Sequence, residues 1–388
     1  MSEVFVIAQG GGPTAVINQS LVGAVLGARK RYPKCQVLGA RHGVRGVRKG
    51  DFVDLTSIPE AELMRVAGSP GAALGSTRDK PDLTYCGEVL AGLRNVHATS
   101  FIYIGGNDTA GTQMILRDEA KGEMAFTHVA KTIDNDLPES DHTPGFISAA
   151  QFVASAFLST DLDFRSLPGI YAGIVMGRHA GFLTAAAAAW KRDDADGPHL
   201  IYVPEHTFSL TQFEDDVARV RAKYGRCFIA ISEGVADESG RPLIESLTAP
   251  GAQEIDAHGN IQLTGGDLGI ALQARLKARF QGIRSRVDTF GYLPRGFIGT
   301  ISPVDQREAY EAGAFAVSVC EAGGGSVALR MDSGVCKPAR VALELVAGKT
   351  RHMERELLAD DPTQLSDAGR AYFARLLPER PVTGGGWV

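Results

Sequence analysis

Residues 131–136, KTIDND, set a lysine and three carboxylate or amide side chains directly after an apolar run. Phosphoryl transfer asks for such a set: a base to take the acceptor hydroxyl's proton, a metal on the phosphate oxygens, and cations to absorb developing charge. Asp134 and Asp136 lie two apart with Asn135 between them, so an extended backbone turns both carboxylates to one side. One then serves as base while the other holds water, metal or a substrate hydroxyl. The same letters also fit a polar turn, in which Asp and Asn are chosen because they tolerate left-handed backbone.

Two further glycine-rich turns weigh against the polar turn. Upstream, the apolar run FIYI at 101–104 ends in GGNDT, and the two runs read as neighbouring strand ends. Gly105 and Gly106 clear side chains where a phosphate must approach backbone N–H groups, Thr109 suits the N-cap of a helix over 109–120, and Asp108 falls at that helix's positive end. At the N-terminus the strand VFVIA (4–8) enters QGGGPTAV and then a helical pattern over 15–29. Gly10, Gly11 and Gly12 can form an anion cradle, with Pro13 pre-setting the turn into the helix. This spacing is neither the dinucleotide fingerprint nor the Walker loop, and an oxidoreductase reading fails for lack of that fingerprint.

The elements that must position these turns alternate along the chain. Strand-like CQVLGA, SFIYIGG, GIYAGIVMG (169–177), HLIYVPE (199–205) and CFIAISEG (227–234) are separated by helical patterns at 59–67, 109–120, 180–190 and 211–224. That order predicts a wound α/β sheet. LPESDHTPGF near 138–146 and GYLPRG near 291–296 mark chain crossings between two domains, and 235–265 reads as a polar surface excursion. The 388 residues suit two or three domains with ample core.

Composition narrows the partners. The net charge is −5 with Lys and Arg scattered, which does not recommend nucleic acid. Five cysteines, Cys35, Cys86, Cys227, Cys320 and Cys336, form no C-x-x-C pair, which suits a reducing cytosol better than a disulfide framework or zinc site. A strand begins at once without a leader pattern, and the alanine-rich FLTAAAAAW (182–190) is far short of a membrane span, so a cytoplasmic location is expected.

Taken together, the motifs resemble those of the phosphofructokinase family, from the first strand to about residue 320. GGGPTAVIN resembles its first phosphate loop, LGSTR (74–78) its second, and GGNDT and KTIDND its metal and catalytic turns. MGRHAGFLT (176–184), VPE (203–205), ISEG (231–234) and the stretch from Arg286 to Arg295 resemble its sugar-phosphate face. The resemblance implies two wound three-layer α/β domains with the active site in the cleft between them. Residues 1–140 with parts of 294–345 would bind the phosphoryl donor, 141–293 the sugar phosphate, and 346–388 would form a C-terminal extension with no nameable chemistry.

By the same resemblance, Asp134 is the base that deprotonates the 1-hydroxyl of fructose 6-phosphate, with Asp136, Lys131, Thr132 and Arg178 in the catalytic group. Gly11, Gly12, Arg78, Gly106, Asp108 and Lys131 bind the donor. Thr132, Met176, Gly177, Arg178 and Glu205 line the sugar, while Arg286, Tyr292 and Arg295 hold its 6-phosphate; guanidinium forks match phosphate oxygens. Mg²⁺ is the implied cofactor, on Asp108 and Asn107. Asn107 stands where many relatives have a metal-binding aspartate, so that load shifts toward Asp108 and the donor's own oxygens.

Two positions point to the donor. ATP-using members generally carry glycine at the place of Asp108, and many at that of Lys131, whereas pyrophosphate-using members are similar to this chain at both. An acid at 108 would repel and occupy the region needed by a nucleotide's α-phosphate and ribose, and Lys131 would neutralise a terminal phosphate. Asp108 carries most of this inference, since some ATP-using relatives share the lysine. The expected activity is therefore pyrophosphate:fructose-6-phosphate 1-phosphotransferase, with the ATP-dependent enzyme and a non-catalytic sugar-phosphate-binding subunit as alternatives. Gly169 falls where regulated bacterial relatives offer an arginine to a neighbouring subunit's sugar phosphate, which leaves Arg286 to reach across a homodimer or homotetramer contact. No cationic effector pocket is traceable, so simple kinetics are expected.

Overall fold

The computed structural model describes residues 3–247 and 267–383. Its strands are β1 (Val4–Gln9), β2 (Gln36–Ala40), β3 (Phe52–Asp54), β4 (Ser100–Gly105), β5 (Ala125–Ala130), β6 (Ile170–Val175), β7 (Leu200–Tyr202), β8 (Cys227–Ser232), β9 (Ser285–Thr289), β10 (Gly325–Asp332) and β11 (Val335–Val341). The helices that matter for the site are α1 (Ile17–Arg31), α2 (Asn107–Ala120), α3 (Phe146–Ser166), α4 (Phe182–Ala185) and α5 (Pro303–Glu321). The chain divides into two units, one running through Ala149 and including Arg295–Arg351, the other comprising Ala150–Pro294 and the chain from His352. The segment expected to be a separate C-terminal extension is thus shared between the units. Of its tail TGGGWV, residues 384–388 lie outside the described residues, as does 248–265 of the expected surface excursion; before that gap the chain forms a bridge, Ala236 to Pro242, and a helical turn, Leu243–Leu247.

The first unit holds a seven-stranded sheet in the order β11-β10-β5-β4-β1-β2-β3, parallel except for its edge strands β3 and β11. β1 is buried along its whole length because both faces are covered. Phe5 and Ile7 enter one core cluster with Ile17, Leu21 and Val25 of α1, whereas Val4, Val6 and Ala8 enter another with Phe101 and Tyr103. Since β2 lies on one side of β1 and β4 on the other, the strand order reverses at β1/β4, the place beyond whose carboxyl ends wound sheets bind ligands. Both glycine turns leave the sheet there, and Gly10 N donates to Ile104 O at 2.8 Å.

In the second unit β7-β8-β6-β9 form a wholly parallel sheet. Aromatic rings fill one face: Tyr171 stacks on Phe228 with centroids 4.5 Å apart, and Phe157 meets both edge-on. Gly173 leaves the room, since a Cβ there would lie 2.6 Å from Phe157 Cζ. The wound α/β class is therefore as expected.

Several local expectations shift. Helix α1 starts at Ile17, four residues past Pro13, so the proline does not set its first turn. Gly106 rather than Thr109 caps α2; the Thr109 hydroxyl instead packs over Gly105, where an added Cβ would come within 2.1 Å of it. The helix expected over 180–190 is α4 followed by one 3₁₀ turn, Ala186–Ala188. All five cysteines are buried and free, and among the described residues no helix is long and apolar enough to cross a membrane.

Candidate active site

In the first unit the loops after β1, β4 and β5 bring most of the expected donor-side residues together. Gly11 adopts φ 73°, left-handed backbone that glycine takes without cost, and its N–H donates to Thr77 O at 2.9 Å, joining the first glycine loop to the LGSTR loop. Lys131 is only 3% exposed; its N–H donates to Gly105 O at 2.9 Å and its Nζ to Gly12 O at 2.7 Å. A Cβ on Gly11 would lie 3.3 Å from Lys131 Nζ, and one on Gly12 would lie 3.0 Å from the Arg295 guanidinium carbon. The glycines therefore make room for two cations as well as for an anion.

Charge is concentrated here. Burial, then the nearby Arg295 and more weakly Arg78, push the Lys131 ammonium down to about 7 against the pull of Asp134 and Asp136. Burial, then repulsion from Asp134, raise Asp136 to about 7. Such a cluster is tuned for an incoming polyanion, which would favour the protonated lysine.

The Asp134–Asp136 pair is close, but not for the reason given by sequence. Asn135, fully buried, has φ 58°, so the backbone is a left-handed turn and strand alternation does not align the two carboxylates. The polar-turn reading described the backbone correctly. Thr132 organises the turn: its Oγ1 accepts from Asp134 N at 3.1 Å, it hydrogen-bonds Asp136, and its carbonyl accepts from Thr143 Oγ1 at 2.8 Å.

At the rim, Asp108 lies in the first turn of α2 and is exposed, with Lys80 Nζ 3.1 Å away. Gly106 precedes it in extended backbone. Asn107 is committed locally: its Oδ1 accepts from Asp108 N at 2.8 Å, and its Nδ2 donates to Lys349 O at 3.2 Å. Of the two expected metal residues, Asp108 offers exposed carboxylate oxygens of the hard kind that Mg²⁺ takes, while the Asn107 amide already makes two local hydrogen bonds.

The second unit presents the expected sugar-side residues. Met176 is buried where β6 ends, and Gly177 has φ 140° with its carbonyl accepting from Ser232 Oγ at 2.5 Å. Arg178 follows with its carbonyl against Gly234, where a Cβ would come within 2.1 Å. Glu205 Oε1 accepts from Gly181 N at 2.9 Å and Met353 N at 2.7 Å, while its buried Oε2 has no hydrogen-bond partner among the described residues. Burial raises the Glu205 carboxyl. An oxygen left in this state suits a ligand hydroxyl.

The expected 6-phosphate trio draws on both units. Arg286 on β9 is exposed, with Nη1 on Ser285 O at 2.9 Å, and Tyr292 is 56% exposed, both in the second unit. Arg295 belongs to the first unit beside Gly12 and Lys131, because the chain crosses between Pro294 and Arg295. At Gly169 an arginine has no place: a Cβ would lie 2.4 Å from Arg284 O.

Sequence reasoning missed Lys80 and a buried network under the catalytic turn. His142, 1% exposed, has Nδ1 2.9 Å from Asp141 Oδ1 and Nε2 2.6 Å from Glu308 Oε2. Although burial opposes its charge, the hydrogen bonds to Asp141, Cys336 and Glu308 raise it well above the usual imidazole value. Asp305 accepts from Gly145 N, Ser148 N and Ser148 Oγ at 2.6–3.0 Å, fixing the start of α3. Asp141, His142 and Cys336 could geometrically hold a metal, but carboxylates already occupy both ring nitrogens of His142.

A phosphofructokinase family model matches residues 4–320. The chain belongs to that family. It is 50% identical over 381 residues, covering 96% of this chain and 93% of the relative, to the pyrophosphate–fructose 6-phosphate 1-phosphotransferase of Rhodospirillum rubrum. It is 31% identical to the protein of that name from Xanthomonas campestris, over 97% of this chain and 92% of the other. Among solved structures, the pyrophosphate-dependent phosphofructokinase of Marinobacter aquaeolei is similar at TM-score 0.85 and 26% identity, over 99% of this chain and 94% of that one.

Proposed function

We propose that this chain is a pyrophosphate:fructose-6-phosphate 1-phosphotransferase. The observation that carries the reading is buried Lys131, set between the glycine loop and two aspartates with Arg295 beside it. The activity in the names of the R. rubrum and X. campestris relatives supports it. Asp134 takes the proton of the sugar's 1-hydroxyl as that oxygen bonds the transferred phosphorus, and the bridging P–O bond of pyrophosphate breaks to release phosphate. Lys131, Arg295 and Arg78 balance the charge on the phosphate oxygens, and Thr132 holds the turn that aims Asp134. Glu205 accepts from a sugar hydroxyl through its unpartnered Oε2, while Met176, Gly177 and Arg178 shape the sugar's surroundings. Arg286 and Tyr292 meet the 6-phosphate.

Mg²⁺ fits Asp108, and when bound it neutralises phosphate oxygens. Asp108 with Lys80 also sets a charged pair at the end of the donor loops, where a nucleotide's continuation would need space. We place the enzyme in the cytoplasm as a homo-oligomer; the five free thiols and the exposed Arg286 support this. The test is a direct assay of purified protein with fructose 6-phosphate and Mg²⁺, comparing pyrophosphate with ATP. Saturable turnover with pyrophosphate is expected, and a preference for ATP would overturn the donor assignment.

A further inference from the structure

The short segment at residues 348–353 holds candidate site residues in both units, through contacts within each. In the first unit Gly348 N donates to Asn107 O at 3.4 Å, and Lys349 O accepts from Asn107 Nδ2 at 3.2 Å. Arg351 then takes the arc downstream of the catalytic turn: its N–H donates to Asp136 O, and its Nη1 donates to the carbonyls of Ser140 and Asp141, each at 2.7 Å. Within the second unit, His352 Nδ1 lies 2.8 Å from His179 O, and Met353 N donates to Glu205 Oε1 at 2.7 Å.

The arc needs outside support. Asn135 and Glu139 have φ 58° and 67°, left-handed backbone that an asparagine tolerates and a glutamate rarely adopts. No helix or strand spans 131–141. Leu137 anchors the middle by packing with Leu343 and Val346, and Arg351 holds Asp136 O before it through its main-chain N–H and the carbonyls of Ser140 and Asp141 beyond it through its guanidinium.

We propose that Arg351 is a positioning residue for phosphoryl transfer: its guanidinium grips the carbonyls of Ser140 and Asp141 at the far end of the Asp136–Asp141 arc, whose near end its main-chain N–H ties at Asp136 O, and so fixes the aim of the Asp134–Asp136 carboxylates without touching substrate. The proposal rests on the phosphotransferase reading above. It predicts a defect in turnover rather than in binding, because misaiming a reacting group by about 1 Å costs about 100-fold while substrate contacts persist.

The test uses the full chain and two variants, Arg351→Ala and Arg351→Lys. In Arg351→Ala, hydrogen exchange in peptides covering 131–145 should rise about tenfold or more, with β1 and α5 unchanged. Its kcat should fall about 100-fold with both KM values within about threefold. Arg351→Lys, which keeps a cationic donor, should recover part of the rate, and added guanidinium should partly restore the alanine variant. Unchanged exchange in 131–145, or a kcat within threefold of wild type, would overturn the proposal. So would faster exchange throughout the unit without rescue, which marks a merely structural role. Wild-type protein inactive with pyrophosphate would sink the functional reading instead, and the exchange comparison would still decide whether Arg351 holds the arc.

Discussion

The candidate catalytic lysine of the first unit is buried, whereas two of the candidate sugar-phosphate residues in the second unit stand in the open. Lys131 is 3% exposed and already hydrogen-bonded to Gly12 O, whereas Tyr292 is 56% exposed and the exposed Arg286 donates to the carbonyl of neighbouring Ser285. Buried charge must be compensated in place, so the first unit carries a preset constellation of cations and carboxylates. Exposed charge remains available to a ligand or to another chain. Glu205 lies between these extremes, with one oxygen fixed by backbone donors and the other buried and unpartnered.

The largest break in this contrast should come from the preset side. Asp134→Asn should lower turnover by about 10²–10⁴-fold, the worth of a positioned general base, with little change in the KM for fructose 6-phosphate. Near-normal turnover would remove Asp134 from its role. On the sugar side, Glu205→Gln and Arg286→Ala should act on binding, each lowering kcat/KM by about 10–100-fold, as expected for a lost charge-assisted hydrogen bond. If Arg286 serves a neighbouring copy, active protein is at least a dimer by light scattering, and co-refolding Arg286→Ala with Asp134→Asn should regenerate some activity. A fully active monomer would contradict that arrangement.

Donor choice should yield a smaller change. Asp108→Gly removes the acidic rim and leaves Lys80 without its ion pair, so pyrophosphate use should weaken several-fold while ATP use becomes measurable. Lys131→Gly should reduce pyrophosphate turnover and help ATP little while Asp108 remains. The double variant should be non-additive, because both side chains act on one donor. Additive effects on kcat/KM would separate the two positions.

The difference between the units also shows what sequence could reveal. Strand ends and glycine turns were legible because parallel strands buried on both faces are continuous apolar runs, and a turn at their end needs glycine. Lys131 and the aspartates were visible because they share six residues. Arg295 was grouped with Arg286 and Tyr292 on the family resemblance; that the chain passes from one unit to the other one residue before it leaves no mark in the local sequence. Arg351 was illegible for another reason: its acceptors are main-chain carbonyls more than 200 positions away, which leave no side-chain signature. His142 depends similarly on Glu308, 166 positions distant.

The smallest effect expected is on stability, and its sign follows from the buried charges. Asp136 is raised from its ordinary value to about 7, so between about pH 4 and 7 the unfolded chain has released this proton while the folded one keeps it, and stability falls as pH rises. Lys131 is lowered from its ordinary value to about 7, so between about pH 7 and 10 the unfolded chain binds the proton and the folded one does not, and stability rises with pH. The two contributions meet near pH 7, where each group is least comfortable. Asp136→Asn should therefore raise the Tm, by an amount that grows from pH 4 to pH 7 and then levels off. Lys131→Met should also raise it, most below pH 7 and progressively less toward pH 10. Each kcal/mol corresponds to about 2–4 °C in a domain of this size. Pyrophosphate should narrow the gap between wild type and Lys131→Met, since the anion restores a partner to the lysine and stabilises the folded form by mass action. Melting curves at pH 5, 7 and 9, with and without pyrophosphate, decide it: pH-independent Tm differences would show that burial does not tune these groups, and the contrast between preset and open charge would lose its basis.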